Sequence, residues 1–121
     1  MNIKPYRTIT PKVVEEKPLI KTRALERLKK KLTIENLWMY IVSILTNTEP
    51  LKAYDIKKKL WEKYRIKPAT VTVYTVVYKM TREGLIKTVK VSGETRYTVT
   101  DKGLEALKEA KEFIRKILEE L

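Results

Sequence analysis

The stretch Ala69-Thr70-Val71-Thr72-Val73-Tyr74-Thr75-Val76-Val77-Tyr78-Lys79-Met80-Thr81-Arg82-Glu83, followed by Gly84-Leu85-Ile86, decides the fold. Its residue types and its spacing disagree. Val, Thr and Tyr favour strands, and Thr70 to Val73 alternates as a half-buried strand does. Yet Val73, Val76, Val77 and Met80 fall at i, i+3, i+4 and i+7, which gathers one apolar stripe on a helix. Pro68 has the φ that a first helical residue needs. Gly84-Leu85 reads as a stop, with glycine turning left-handed and leucine folding back on the last turn. The spacing therefore predicts a helix over 69–83. Its other face holds Val71, Thr75, Tyr78 and Arg82, flanked by Thr72, Tyr74 and Lys79: hydroxyls, methyls and two cations without a carboxylate. That surface suits a polyanion.

Charge supports the same direction. Basic residues outnumber acidic ones by 27 to 15, a formal net charge of +12. Residues 1–32 contribute ten basic and three acidic groups, whereas 101–121 carry five and six, so the front of the chain is cationic and the end is balanced. One part is suited to a polyanion and another to protein. A solvated lysine-rich surface is the blander reading, and the Lys, Glu and Ile usage has a thermophile-like character, but such surfaces usually balance Lys with Glu.

A chain of 121 residues reads as one domain, able to bury roughly two thirds of its unfolded surface. It has no Cys and no His, which excludes zinc-finger ligand sets and Cys-His or Ser-His nucleophile pairs. No metal, cofactor or enzymatic activity is expected. The carboxylates of the last helix lie at salt-bridge spacing, Glu105 with Lys108 and Glu112 with Lys116, and Gly84, Gly93 and Gly103 form no phosphate loop. There is no apolar signal-peptide core at the N-terminus, and the longest uncharged run, 36–48, is too short to span a bilayer. A soluble, cytoplasmic, nucleoid-associated protein without membrane contact is expected.

Residues 1–18 carry Pro5, Pro11 and Pro18 among Lys4, Arg7, Lys12 and Lys17, and read as a poorly ordered basic arm. Two alternatives stay open: the arm dangles, or it lies along a phosphate backbone or in a minor groove. Over 19–32, Ile20, Leu25, Leu28 and Leu32 make a helical stripe among Lys21, Arg23, Arg27 and Lys29 to Lys31, the last three also suiting the helix's own C-terminal dipole. Thr33 is an N-cap candidate for a core helix over 34–46, with Ile34, Leu37, Trp38, Ile41, Ile44 and Leu45 on its apolar face. A third helix is expected over 53–64, with Ile56, Leu60 and Trp61 inward and Lys57, Lys58, Lys59 and Lys63 mostly outward. Both tryptophans, Trp38 and Trp61, read as core.

After Gly84 the period changes from 3.6 to 2. Ile86, Thr88 and Lys90 alternate with Lys87, Val89 and Val91; Ser92-Gly93-Glu94 turns, and 95–100 runs back with Tyr97 and Val99 on one face. Lys87, Lys90 and Arg96 are expected near the hairpin tip. Thr100 or Asp101 caps a last helix in which Leu107, Ala110, Ile114, Ile117 and Leu121 fall on a heptad seam, beside Leu104, Phe113 and Leu118. That helix either packs back on its own domain or meets a second copy. The second copy is favoured because few free apolar surfaces are expected on the preceding helices.

Three helices and a hairpin make a winged helix-turn-helix, mostly α with a small β-hairpin, over 33–100, preceded by a basic helix at 19–32 and followed by a dimerisation helix at 101–121. Leu51-Lys52-Ala53-Tyr54-Asp55-Ile56-Lys57-Lys58-Lys59-Leu60, Val73-Tyr74 ahead of Gly84-Leu85-Ile86, and Tyr97-Thr98-Val99-Thr100-Asp101-Lys102-Gly103 resemble the PadR family of transcriptional regulators. The resemblance covers about 34–121. It departs where the family has Gly before the tyrosine of the second helix (Ala53 here) and Pro-Gly-Thr-Leu-Tyr-Pro leading into the recognition helix, replaced by Thr70 to Thr75; residues 1–32 look added.

The resemblance implies a homodimer joined through the C-terminal helix, with Leu107, Ala110, Ile114, Ile117, Leu118 and Leu121 at the interface. Contacts to double-stranded DNA are expected from Thr70, Thr72, Tyr74, Thr75, Tyr78, Lys79 and Arg82 on the helix and from Lys87, Lys90, Ser92 and Arg96 on the hairpin. Some PadR-like proteins hold aromatic effectors between tryptophans of the terminal helix; this one has none, so no effector is expected. Only Arg82 is a bidentate guanine reader, and no Asn or Gln on the face reads adenine. Three functions follow: a dimeric regulator on a palindromic site with half-sites about 34 Å apart, an architectural protein with little sequence preference, or a winged-helix protein-interaction module.

Overall fold

The computed structural model describes residues 20–121, so the arm read over 1–18 lies outside the described residues. Five α-helices and one hairpin follow in order: α1 (Arg23–Leu32), a 3-10 turn (Ile34–Asn36), α2 (Leu37–Thr46), α3 (Ala53–Tyr64), α4 (Thr70–Glu83), β1 (Ile86–Val91), β2 (Glu94–Val99) and α5 (Asp101–Glu120). The decisive stretch is helical. Val73, Val77 and Met80 of α4 are buried, and burying such side chains stabilises by about 1.5–3 kcal/mol each, against a few tenths lost to β-branched crowding. Spacing outweighs propensity.

The helix ends as its Gly-Leu pair implies. Gly84 takes a φ of 81°, and the N–H groups of Gly84 and Leu85 donate to the carbonyls of Thr81 (3.1 Å) and Met80 (2.9 Å). Its start differs from expectation. The N-cap is Ala69, so Pro68 precedes the cap rather than opening the helix, and no side chain caps the first turn.

The core is built by α2, α3 and α4 and closed by the hairpin base. Leu37, Ile41, Ile44 and Leu45 meet Ile56, Leu60 and Ile66, with Val73, Val77, Met80, Leu85 and Ile86 completing the cluster. Trp38 packs against its edge as expected, but Trp61 does not: it is 43% exposed. Thr33 also departs from its expected part. It makes no N-cap bond; its buried hydroxyl donates back to the Lys29 carbonyl at 2.7 Å. The segment 34–36 is a 3-10 turn, and Ile34, expected on the apolar face, is exposed.

One tie has no periodic signal in the sequence. Leu51, between α2 and α3, forms an antiparallel bridge with Tyr97 of β2, through Leu51 N–H to Tyr97 O at 3.0 Å and Tyr97 N–H to Leu51 O at 2.8 Å. That bridge fastens the hairpin to the helices. The hairpin register runs from Ile86 opposite Val99 to Val91 opposite Glu94, so the turn is Ser92-Gly93 alone, both at positive φ, and Glu94 belongs to β2. Three helices backed by a hairpin that is pinned to the link between α2 and α3 form a winged helix-turn-helix.

Thr100 joins the two longest helices. Its hydroxyl accepts from Gly103 N–H (3.1 Å), capping α5, and donates to the Gly84 carbonyl (2.5 Å), while its own N–H donates to Leu85 O at 3.2 Å. Gly103 is buried at this crossing, and a Cβ there would overlap the Leu85 carbonyl oxygen. The start of α5 is thus held against the end of α4. Ala106 and Leu107 of α5 pack on the core, whereas Phe113, Ile117, Leu118 and Leu121 are exposed. The ion pairs expected on α5 also change: Glu112 pairs with Arg115, which also pairs with Glu119.

Candidate nucleic-acid interface

Burying Val73, Val77 and Met80 turns the opposite side of α4 outward. Val71 is 70% and Tyr78 61% exposed, and Tyr74, Thr75, Lys79 and Arg82 are also exposed; Thr70 is exposed at the N-terminal end and Thr72 is half-buried. The Arg82 guanidinium sits 5.7 Å from the centre of the Tyr78 ring, a cation-π pair that holds the cation over the aromatic. Among the described residues, no carboxylate stands on this face until Glu83 at its end. The expected α4 set is therefore brought together on one surface.

The hairpin set is not. Paired positions share a face, so Lys90 lies on the same side as Ile86, Tyr97 and Val99, whereas Lys87 and Arg96 lie on the other. Lys87 pairs with Thr98, next to the hairpin base, and is not at the tip as expected. Lys90 donates to Thr95 Oγ1 at 2.9 Å, and Arg96 donates to Glu94 at 3.1 Å. The Arg96 hydrogen bond, with Lys52 3.8 Å away, holds the Glu94 carboxyl below the usual carboxylate range. Two of the three hairpin cations thus have partners within the hairpin. Ser92 sits at the exposed turn.

A second cationic surface lies outside the expected set. On α3, Tyr54, Lys58 and Trp61 recur at i, i+4 and i+7, one side of the helix. Lys58 lies 5.8 Å from the Tyr54 ring centre; Arg65 and Lys67 lie 4.8 and 5.6 Å from that of Trp61. Tyr54, Lys57, Lys58, Trp61, Glu62 and Lys67 line a shallow cleft of about 270 Å³. The signal is present in the sequence: Trp61 lies about 100° around the helix from Leu60, off the Ile56-Leu60 stripe. Reading tryptophan as core by type hides it.

The described residues hold no cluster of three or more metal-ligating His, Cys, Asp or Glu side chains. Among them no helix is long and apolar enough to cross a membrane.

The fold class is a winged helix-turn-helix. More narrowly, it is a PadR-like winged helix, as comparison with solved structures shows. A PadR-like transcriptional regulator from Bacillus cereus is 26% identical, with a TM-score of 0.59 over 76% of this chain and 88% of its own. A PadR family transcription regulator from Clostridium difficile is 28% identical, with a TM-score of 0.55 over 69% and 94%. F93 from STIV, a winged-helix DNA-binding protein, is 15% identical, with a TM-score of 0.59 over 70% and 92%, a likeness of fold alone. No family model and no curated protein matches the sequence.

Proposed function

We propose that the chain is a homodimeric transcriptional regulator that binds double-stranded DNA, with α4 in the major groove and the hairpin on the backbone or minor groove. The observation that carries the reading is the outward face of α4, where Val71, Tyr74, Thr75, Tyr78 and Arg82 stand exposed around one cation-π pair without an opposing carboxylate. Hydroxyls and Arg82 meet phosphates or base edges, and the Val71 and Thr75 methyls suit thymine. The cations beside Trp61 and Tyr54 add contacts to the flanking backbone. The bare outer half of α5, with Ile117, Leu118 and Leu121, joins two copies. Such a protein acts in the cytoplasm at the nucleoid, without a cofactor, a metal or a small-molecule effector.

A second reading is architectural binding by charge and shape. It is favoured by the single guanine reader on α4, Arg82, and by the internal partners of Lys90 and Arg96.

The joint substitution Tyr78→Ala with Arg82→Ala tests the first. Both side chains are exposed, so the thermal midpoint should hold while duplex affinity falls by about 10- to 100-fold, the loss of one or two good contacts. Unchanged affinity would put the groove-facing element elsewhere.

A further inference from the structure

Helix α1 is folded yet fully buries none of its side chains. Leu25, Leu28 and Leu32 form one stripe at i, i+3 and i+7, and no residue of the helix is buried. Among the described residues, its substantial packing is confined to the 3-10 turn that follows it. A ten-residue helix is too short to persist in water by itself.

Polar clamps nevertheless fix its direction. Thr33 Oγ1 donates to Lys29 O (2.7 Å), the Asn36 side-chain amide to Lys31 O (2.5 Å) and the Tyr40 hydroxyl to Leu32 O (2.6 Å). Glu35 pairs with Lys31 at 2.8 Å. The last carbonyls of α1 are thereby satisfied by the domain, and the helix is held out with Leu28 and Leu32 exposed and Leu25 half-buried. This corrects the expectation that the helices before α5 would leave little free apolar surface.

The end of α5 has the matching deficit. Phe113, Ile117, Leu118 and Leu121 are exposed, a stretch of about 13 Å against about 15 Å for α1. The charges are complementary too. Of the α1 cations, Lys29 and Lys31 flank the leucine stripe, while α5 ends in Glu120 and a negative helix terminus. Among the described residues Glu109 and Glu120, flanking Phe113, make no ion pair.

We infer that α1 of one copy packs its Leu25-Leu28-Leu32 stripe on the Phe113–Leu121 end of α5 of a second copy. The two helices are exchanged reciprocally about the dimer axis. This rests on the homodimer proposed above and adds a second element to its interface. It makes α1 a dimer clamp whose cationic back, Arg23, Arg27 and Lys30, faces away from the partner.

The absence of cysteine makes the test clean. Leu28→Cys with Leu118→Cys, treated with a short bismaleimide at micromolar concentration, should give a covalent dimer at least about tenfold faster than either single variant, with wild type dimeric by sedimentation. Leu28→Glu with Leu32→Glu should weaken the dimer by about tenfold or more while the domain still melts cooperatively. A dimeric wild type whose double-cysteine variant links no faster than the singles overturns the exchange and leaves the α5 dimer standing. A monomer linked within one chain overturns it in favour of α1 folding onto its own α5. A monomeric wild type overturns both, and one that also pellets with anionic phospholipid vesicles assigns the leucine stripe to lipid.

Discussion

Replacing Gly103 by alanine sets two effects of opposite sign against each other. A glycine-to-alanine change inside a helix ordinarily stabilises by up to about 1 kcal/mol, because the unfolded chain loses freedom and the helix gains propensity. Here the added methyl would overlap the Leu85 carbonyl oxygen and lie 3.0 Å from Val99 Cγ2 and 3.1 Å from the Leu85 carbonyl carbon. Neither Leu85 atom can swing aside. The Leu85 oxygen accepts the Thr100 N–H, and Leu85 N–H donates to Met80, so the backbone is held from both sides. Overpacking of this kind costs about 1–3 kcal/mol, and a backbone obstacle places it at the upper end. The net expectation is a loss of about 2 kcal/mol. With a urea m-value of about 1–2 kcal/mol/M for a domain of this size, the midpoint should fall by about 1–2 M at unchanged m. Urea titration followed by tryptophan fluorescence measures it. An unchanged or raised midpoint would refute the close crossing of α5 over the end of α4, and with it the rigid link between the candidate recognition helix and the dimer helix.

Other perturbations have equally definite signs. Ser92 holds a left-handed φ of 52° beside Gly93 at 82°, a two-residue turn that suits Asn-Gly, so Ser92→Asn should stabilise by about 0.5–1 kcal/mol in thermal melts; a loss would contradict the turn. Burial, and then the neighbouring Tyr64 ring, raise the Tyr40 hydroxyl above its ordinary pKa. Its native state therefore holds the proton more tightly, and the stability it contributes is complete below about pH 10 and lost as pH rises through the raised value. Tyr40→Phe should be less stable than wild type at pH 7, by about 1 kcal/mol for the bond to Leu32, with the gap closing above pH 10; a constant gap would refute the assignment. Deleting 1–18, with its four cations against two acids, should flatten the salt slope of DNA binding, and an identical slope would make that segment a spectator.

Much of this architecture is legible in the residue pattern because it depends on period and on punctuation. The Val73-Val77-Met80 stripe, the Gly84-Leu85 stop and the Thr100 cap each rest on local geometry, and each lies where the pattern puts it. The outward face of α4 follows automatically from the buried one. What escapes depends on tertiary partners. The Leu51–Tyr97 bridge is one residue long on one side and has no period. Thr33 offers the same hydroxyl to a cap or to the preceding turn, and only the positions of Asn36 and Tyr40, which tie off the end of α1, favour the second. For Trp61, hydrophobicity suggests the core while its angular position points outward, beneath Arg65 and Lys67. The hairpin cations are recognisable by type, but register divides them between two faces.

The most direct measurement is selection of bound duplexes from a random-sequence pool, followed by affinities for the winner and a scrambled duplex at two salt concentrations. A dimeric regulator selects a palindrome with half-sites about one helical turn apart, bound on the order of a thousandfold more tightly than the scramble. Equal, steeply salt-dependent binding of both duplexes would contradict sequence-directed regulation and leave an architectural protein, and no duplex binding at all would contradict the nucleic-acid interface itself.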